Sequence, residues 1–382
     1  MSHAPQPDDS AWRRFRAEMP VANNWAYFDH AAVAPLPART RQAITQWVAQ
    51  ATEQGDTVWP QWHQGVEACR ASAAKLINAD RDLVALVHST TEGLTLVAEG
   101  FPWRAGDNVV TLDNEFPSNQ YPWLNLASRG VETRRVAASD GRVDLNKLAD
   151  ACDGRTRIVT VSWVGYASGW RVDLDQLADM VHRKGALFCL DAIQGLGVFP
   201  LDVQATPVDF LAADGHKWLL GPEGAGLFYL RAEHLDLLRP IGVGWHSVAH
   251  ASDYSKIELD LKPSAARYEG GTQNMVGFLG LAASLELLLE HGTQSLSHRV
   301  LEITDLACER LRSAGAKIAS HRDGPHRSGI VSFELAGRDP LETKKRALAA
   351  GVVISARAGR LRLAAHAYNN ADDVERLVAA LK

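Results

Sequence analysis

Short apolar runs recur through the first two thirds of the chain: Leu-Val-Ala-Leu-Val (83–87), Asn-Val-Val-Thr-Leu (108–112), Arg-Ile-Val-Thr-Val-Ser (157–162), Ala-Leu-Phe-Cys-Leu (186–190), Val-Asp-Phe-Leu-Ala-Ala (208–213) and Gly-Leu-Phe-Tyr-Leu (226–230). Each has the length of a strand, and strands that are apolar throughout belong in a sheet covered on both faces. Amphipathic stretches such as 175–184 separate them. The pattern predicts an α/β fold with a mainly parallel central sheet sandwiched by helices, whose ligands lie beyond the carboxyl ends of the strands.

After about residue 265 the texture changes. A long helical pattern (277–290, then 295–314) leads into Gly-Ile-Val-Ser-Phe-Glu-Leu, Val-Val-Ile-Ser-Ala-Arg and Arg-Leu-Arg-Leu-Ala, which read as strands of a smaller C-terminal α+β domain. The expected organisation is an N-terminal segment, 1–25, packing on the small domain, a large domain over 26–264 and a small domain over 265–382. The last helix is predicted to start at Asn370 as N-cap, with Asp373 in its first turn and Val374, Leu377, Val378 and Leu381 on one face.

With 382 residues and 46% hydrophobic content the chain can bury a large core, and its net charge is only −5. No basic run or Lys/Arg stripe interleaved with aromatics is present, so nucleic acid is not an expected partner. Cys69, Cys152, Cys189 and Cys308 are scattered without a Cys-x-x-Cys pair, which argues against a disulfide framework or a zinc site and for a reducing cytoplasm. The N-terminus is polar and no run near 18 apolar residues follows, so neither a signal peptide nor a membrane span is expected. His246 and His250 stand at i, i+4, but Gly and Ser around them read as a loop, and no metal is expected there.

The candidate chemistry lies at strand ends. Asp191 closes the run 186–190, and Lys217 follows the run 208–213 in Asp-Gly-His-Lys-Trp-Leu-Leu. This is the arrangement that pyridoxal phosphate needs: an amine for the Schiff base and a carboxylate that keeps the pyridine nitrogen protonated. An isolated Asp or Lys is usually a turn residue or a solvated charge. Here Leu211, Trp218 and Leu219 surround the lysine, where desolvation favours the neutral nucleophile. Ser89-Thr90-Thr91-Glu92-Gly93 opens a helix and offers hydroxyls and free N–H groups to a phosphate, although the same residues form a helix cap. Thr272, before the next helix, is open to the same two readings, anion contact or cap.

In this order, Tyr-Phe-Asp-His-Ala-Ala (27–32), Ser-Thr-Thr-Glu-Gly, Asn119 with Pro122-Trp123, Asp-Ala-Ile-Gln (191–194), Gly-His-Lys (215–217), Arg-Tyr-Glu-Gly-Gly-Thr (267–272) and Arg362 with Tyr368-Asn369 give a chain that resembles the class V, fold type I pyridoxal-phosphate enzymes. That group holds cysteine desulfurases, isopenicillin N epimerase-like proteins and related lyases and aminotransferases. The resemblance implies that Lys217 holds the cofactor, Asp191 pairs with the pyridine nitrogen and Gln194 bonds the phenolic oxygen. It further implies that Thr91 and His216 hold the phosphate, Thr90 is a further cofactor contact, Phe116 stacks on the ring and Arg362 clamps the substrate carboxylate. Thr272 would reach the phosphate of a neighbouring subunit, in a homodimer with composite sites.

Departures from the family pattern shape the expected activity. Residues 354–362 contain no cysteine where desulfurases carry their nucleophile, Phe116 replaces a stacking His, Trp163 a ring-contacting Asn, and Asp214 a phosphate-binding Ser. Asp214 must turn away or hold His216. The expectation is an enzyme that acts on an α-amino acid through an aldimine and a Cα carbanion: an aminotransferase or carbon–sulfur (β-elimination) lyase first, an isopenicillin N epimerase-like enzyme next. A catalytically silent pyridoxal-phosphate-binding homodimer is the alternative of another class. Cysteine desulfurisation is excluded on the missing acceptor thiolate.

Overall fold

The computed structural model describes residues 9–382. Seven strands form the central sheet: β1 (Val84–Val87), β2 (Asn108–Leu112), β3 (Glu132–Val136), β4 (Thr156–Ser162), β5 (Leu187–Asp191), β6 (Phe210–Asp214) and β7 (Gly226–Leu230). Their order is β1-β7-β6-β5-β4-β2-β3. All neighbours pair parallel except at β7, which is antiparallel to both β1 and β6. The α/β fold expected from the apolar runs is present, and all six predicted strands are found within two residues of their expected bounds.

The strand without a sequence signature is β3, Glu-Thr-Arg-Arg-Val. It lies at the sheet edge with β2 as its one partner and its residues partly exposed, and an edge strand can carry charge that a central one cannot. Two main apolar clusters fill the faces of the sheet, one around Leu190, Leu211 and Trp218 and one around Val87, Phe210 and Phe228. Helix α1 (Met275–His291) lies against the helices Ala38–Glu53 and Trp59–Leu76, with Thr40 Oγ1 2.6 Å from Ser284 Oγ.

A second sheet of four antiparallel strands follows: β8 (Ala316–Ile318), β9 (Ile330–Leu335), β10 (Ser355–Arg357) and β11 (Arg360–Ala364), in the order β10-β11-β9-β8. The single strand predicted over 352–357 is divided. Val352–Val353 pairs parallel with Ala26–Tyr27, and Ile354 is the hinge from which Ser355–Arg357 enters the four-stranded sheet. The β10–β11 connection is the two-residue loop Ala358-Gly359, with φ 49° and 73°. Two positive φ angles in a two-residue hairpin are the type I′ geometry that matches strand twist.

The N-terminal helix Asp9–Ala17 is tied to the chain's end: Arg16 pairs with Asp373 at 2.7 Å and donates to Tyr368 O at 3.0 Å, while Phe15 stacks on His366. Residues 1–8 of the expected N-terminal segment lie outside the described residues. Among the described residues no single helix is long and apolar enough to cross a membrane.

The final helix, Ala371–Leu381, starts as its sequence dictates. Asn370 accepts the Asp373 N–H at 3.0 Å and Asp373 accepts the Asn370 N–H at 3.2 Å, a reciprocal capping box that satisfies two orphan donors. Asn370→Ala is expected to destabilise the protein by about 1 kcal/mol. A urea melt checks this as a lowered midpoint with an unchanged slope.

Candidate active site

Seven chain segments converge beyond the carboxyl ends of the parallel strands. After β1, Ser89 caps the helix Thr90–Gly100 by accepting the Glu92 N–H at 3.1 Å, and Glu92 reaches back to the His88 N–H at 2.6 Å. The capping role therefore falls on Ser89. Thr90 Oγ1 accepts the Asp214 N–H at 2.9 Å and Thr91 donates to Ser118 Oγ at 2.8 Å, which holds both threonines at the first turn, where helix amides lack partners. Gly93 lets this helix approach β6, since a Cβ there would stand 2.7 Å from Ala212 Cβ.

Asp191 ends β5 and is 2% exposed. Burial pushes its pKa up to about 6, opposed by the Ile193 N–H that it accepts at 3.1 Å and by the Lys217 ammonium. Lys217 follows β6 through Gly215, where a Cβ would meet Ala225 O at 2.5 Å. The lysine is 7% exposed, and burial lowers its pKa to about 8, with Asp191 opposing that shift and Arg362 adding to it. Its amine makes no hydrogen bond or ion pair among the described residues, and it stands over the Phe116 ring, 5.3 Å from the centroid. A buried amine without a partner calls for one.

Arg362 is 1% exposed in the middle of β11. It donates from Nε to Ser355 Oγ at 3.0 Å, from Nη1 to Tyr166 O at 2.7 Å and from Nη2 to Asp29 Oδ1 at 3.0 Å. Three of the five guanidinium N–H groups are thus used and two remain for a ligand. Desolvation lowers its pKa and Asp29 opposes this.

One cavity of about 330 Å³ brings together Thr90, Thr91, Phe116, Asp191, Gln194, His216, Lys217 and Arg362. Gln194 donates to Ala31 O at 3.0 Å and accepts from Trp218 Nε1 at 2.8 Å, which leaves one amide N–H toward the cavity. Phe116 forms a wall, edge-to-face with Tyr166. Asp214 takes the second of its two expected courses: its carboxylate stands 2.9 Å from His216 Nδ1 and accepts the Gly215 N–H at 2.7 Å. Trp163 does not line this cavity and packs under Gly195 and against Phe199. Thr272 is exposed in an adjoining cavity whose rim shares Ser89 and Thr91. His246 sits in the single turn Trp245–Ser247 and His250 beyond it, so their spacing is not that of a helix face.

Sequence reasoning assigned no role to Asp29, Ser355, Tyr166, Arg357 or Glu115. Asp29 and Ser355 hold Arg362, Arg357 lines the cavity from the β10 end of the hairpin, and Glu115 lies beneath, bonded to Ser162. Of these, Asp29 alone had a signal, within the segment 27–32; the others are adjacent only after folding. The set fits a planar, phosphate-bearing aldehyde. A buried amine, a buried carboxylate across from it, a free Gln194 donor, an aromatic wall and a helix N-terminus are the complements of its carbonyl, ring nitrogen, phenolic oxygen, ring face and phosphate.

The model of the family Aminotransferase class-V matches residues 26–377. A probable cysteine desulfurase of Methanothermobacter thermautotrophicus is 31% identical over 335 residues, covering 86% of this chain and 83% of that protein. A cysteine desulfurase of Klebsiella pneumoniae is 30% identical over 401 residues, covering 97% of each. In fold, a cysteine desulfurase from Thermococcus onnurineus NA1 superimposes with a TM-score of 0.87 at 24% identity, over 100% of this chain and 98% of that one.

These relatives overturn the functional expectation drawn from the sequence. Cysteine desulfurisation had been excluded, and an aminotransferase, a β-elimination lyase or an epimerase ranked above it, because residues 354–362 lack a cysteine; relatives named cysteine desulfurase match this chain across most of its length. The exclusion assumed that the acceptor thiol must belong to the same chain, which carbon–sulfur chemistry does not require. With the match running from residue 26 to 377, this chain belongs to the class V aminotransferase family, whose cofactor is pyridoxal phosphate.

Proposed function

We propose that the protein removes sulfur from a cysteine-type α-amino acid in a desulfurase-type reaction, with a thiol outside the chain as the sulfur acceptor. One observation carries the reading: the unpartnered, buried amine of Lys217 shares a cavity with Asp191 and Arg362 in a chain whose relatives are named for this activity. When bound, pyridoxal phosphate supplies an electrophilic carbonyl and an electron-accepting ring. The chain's residues do the rest. Arg362, fixed by Asp29, Ser355 and Tyr166 O, offers its two remaining N–H groups to the substrate carboxylate, and Arg357 adds positive charge at the cavity wall. Lys217 takes the proton from Cα, a task suited to an amine whose pKa burial has lowered to about 8. Asp191, ionised above about pH 6, holds the proton on the ring nitrogen.

The acceptor comes from outside because the chain's own thiols are withdrawn. Cys69, Cys152, Cys189 and Cys308 are all buried, and burial raises the pKa of each, that of Cys69 to about 12. In the balanced reaction an acceptor thiolate attacks the substrate sulfur, the Cβ–S bond breaks, Cβ keeps the electron pair and takes a proton. Cysteine and thiol become alanine and a persulfide. Four unpaired cysteines also suit a reducing cytoplasm.

The exposed Thr272, on a cavity adjoining the phosphate end of the site, supports a homodimer in which it serves the partner's cofactor. Sedimentation equilibrium is expected to give twice the chain mass, and Thr272→Ala to weaken cofactor retention without changing fold; a monomer with full retention refutes this part.

With pyridoxal phosphate, cysteine and dithiothreitol, which releases the persulfide sulfur as sulfide, alanine and sulfide are expected in equal amounts. Persulfide found on one of the chain's own four cysteines, or pyruvate and ammonia in place of alanine, refutes the proposal. Lys217→Ala is expected to lower kcat/KM by about 10³-fold or more, the range of a lost acid–base group. Arg362→Lys should lower it roughly 10- to 100-fold through loss of the forked geometry. The folded pKa of Lys217 lies below its ordinary value, so the neutral amine gains population as pH rises. The rate of cofactor uptake by apoprotein, followed by absorbance, is expected to climb through about pH 8 and then level off.

A further inference from the structure

The buried amide of Gln194 is engaged at both ends, by groups of opposite kind. Its nitrogen donates to Ala31 O at 3.0 Å, and its oxygen accepts from Trp218 Nε1 at 2.8 Å. A backbone carbonyl oxygen can only accept and an indole N–H can only donate. Turning the amide over would set oxygen against oxygen at Ala31 and N–H against N–H at Trp218, with every group in that arrangement buried and unsatisfied. The two neighbours therefore fix the orientation, and what the amide nitrogen has left for the cavity is a donor.

The indole that imposes this orientation is itself held. Trp218 is 1% exposed and does not line the cavity. Its ring stacks on His366 with centroids 5.9 Å apart and lies 6.1 Å from the His30 ring. It also covers Gly329, where a Cβ would stand 2.5 Å from the ring. His366 stacks in turn on Phe15 of the N-terminal helix. Gly329 precedes β9 and His366 follows β11, so the second sheet and the N-terminal helix together secure the side chain next to Lys217.

We propose that Trp218 is a positioning residue that commits Gln194 as a hydrogen-bond donor to the cavity, and thereby favours the ionised form of the oxygen that Gln194 meets on the cofactor ring. A donor stabilises an oxyanion more than the neutral hydroxyl, because the bond to the anion is charge-assisted. Without the indole N–H, the Gln194 oxygen is left buried and unpaired, and the rotation that relieves it gives up the bond to Ala31. The inference rests on the reading of Gln194 as the contact of the ring's phenolic oxygen. It gives a polar task to a residue that sequence reasoning counted only among the apolar surroundings of the lysine.

Trp218→Phe keeps an aromatic ring against His366 and removes the N–H. After reconstitution with pyridoxal phosphate it is expected to weaken cofactor retention roughly tenfold, the size of one hydrogen bond to a charged group, and to move the pH titration of the bound cofactor's absorbance to higher pH. Gln194→Leu should do the same, and the double variant should do no more than Gln194→Leu alone, since residues that act through one contact are not additive. A Trp218→Phe titration that coincides with that of wild type, or a double variant whose effects are the sum of the two singles, overturns the proposal. In NMR spectra of the apoprotein, the indole N–H resonance that is lost in Trp218→Phe is expected to move upfield in Gln194→Leu; a resonance that stays in place also overturns it. If the apoprotein takes up no pyridoxal phosphate, the proposed function fails, and the indole resonance still decides whether Trp218 holds Gln194.

Discussion

Opposite charges brought out of water at the carboxyl edge of a parallel sheet are the constraint around which this molecule is organised. Asp191 and Asp214 are the last residues of adjacent strands, and Lys217 follows three positions after the second. Removing an ion from water costs several kcal/mol even after relaxation, so each such group must be supported by its surroundings. For the two carboxylates the support is local, backbone N–H groups at Ile193 and Gly215 and the His216 ring, whereas the Lys217 amine has no such partner among the described residues. What burial shifts, it shifts in opposite directions, Asp191 up to about 6 and Lys217 down to about 8. Each shift moves its group toward the neutral form, the carboxylic acid and the free amine.

Arg362 illustrates the same principle from the second sheet. A guanidinium that is nearly inaccessible to solvent is tolerable because Asp29 neutralises it and Ser355 and Tyr166 O fix its plane. Its support comes from three distant parts of the chain: the segment after Ala26–Tyr27, the loop after β4 and the neighbouring strand β10. The division of the 352–357 run makes this possible, since pairing Val352–Val353 with Ala26–Tyr27 draws the Asp29 segment to the edge of the small sheet. A contact that secures the fold's entry strand thus also fixes a guanidinium at the cavity wall.

The corrected functional reading shows where inference from a missing residue goes astray. The absence of a cysteine from 354–362 is real, and the two-residue turn at Ala358-Gly359 leaves no loop to carry one. It removes one acceptor within the chain, while Lys217, Asp191 and Arg362 still line one cavity. All three are positioned by the two sheets, Asp191 at the end of β5, Lys217 just after β6 and Arg362 in β11.

Much of the architecture was legible in the chain itself. Runs apolar on both faces can be satisfied only inside a covered sheet, so β1, β2 and β4 to β7 and their strand-end acid and lysine were readable from residue types alone. The Asn370 cap was local too, because both of its partners lie within one helical turn. The edge strand β3 escaped because a strand with one neighbour and solvent access needs no apolar pattern. Glu115 beside Ser162, Asp29 beneath Arg362 and Arg357 at the cavity wall were decided by tertiary structure: their neighbours are tens to hundreds of residues away in sequence, and the burial that shifts a pKa exists only once the chain has closed over it.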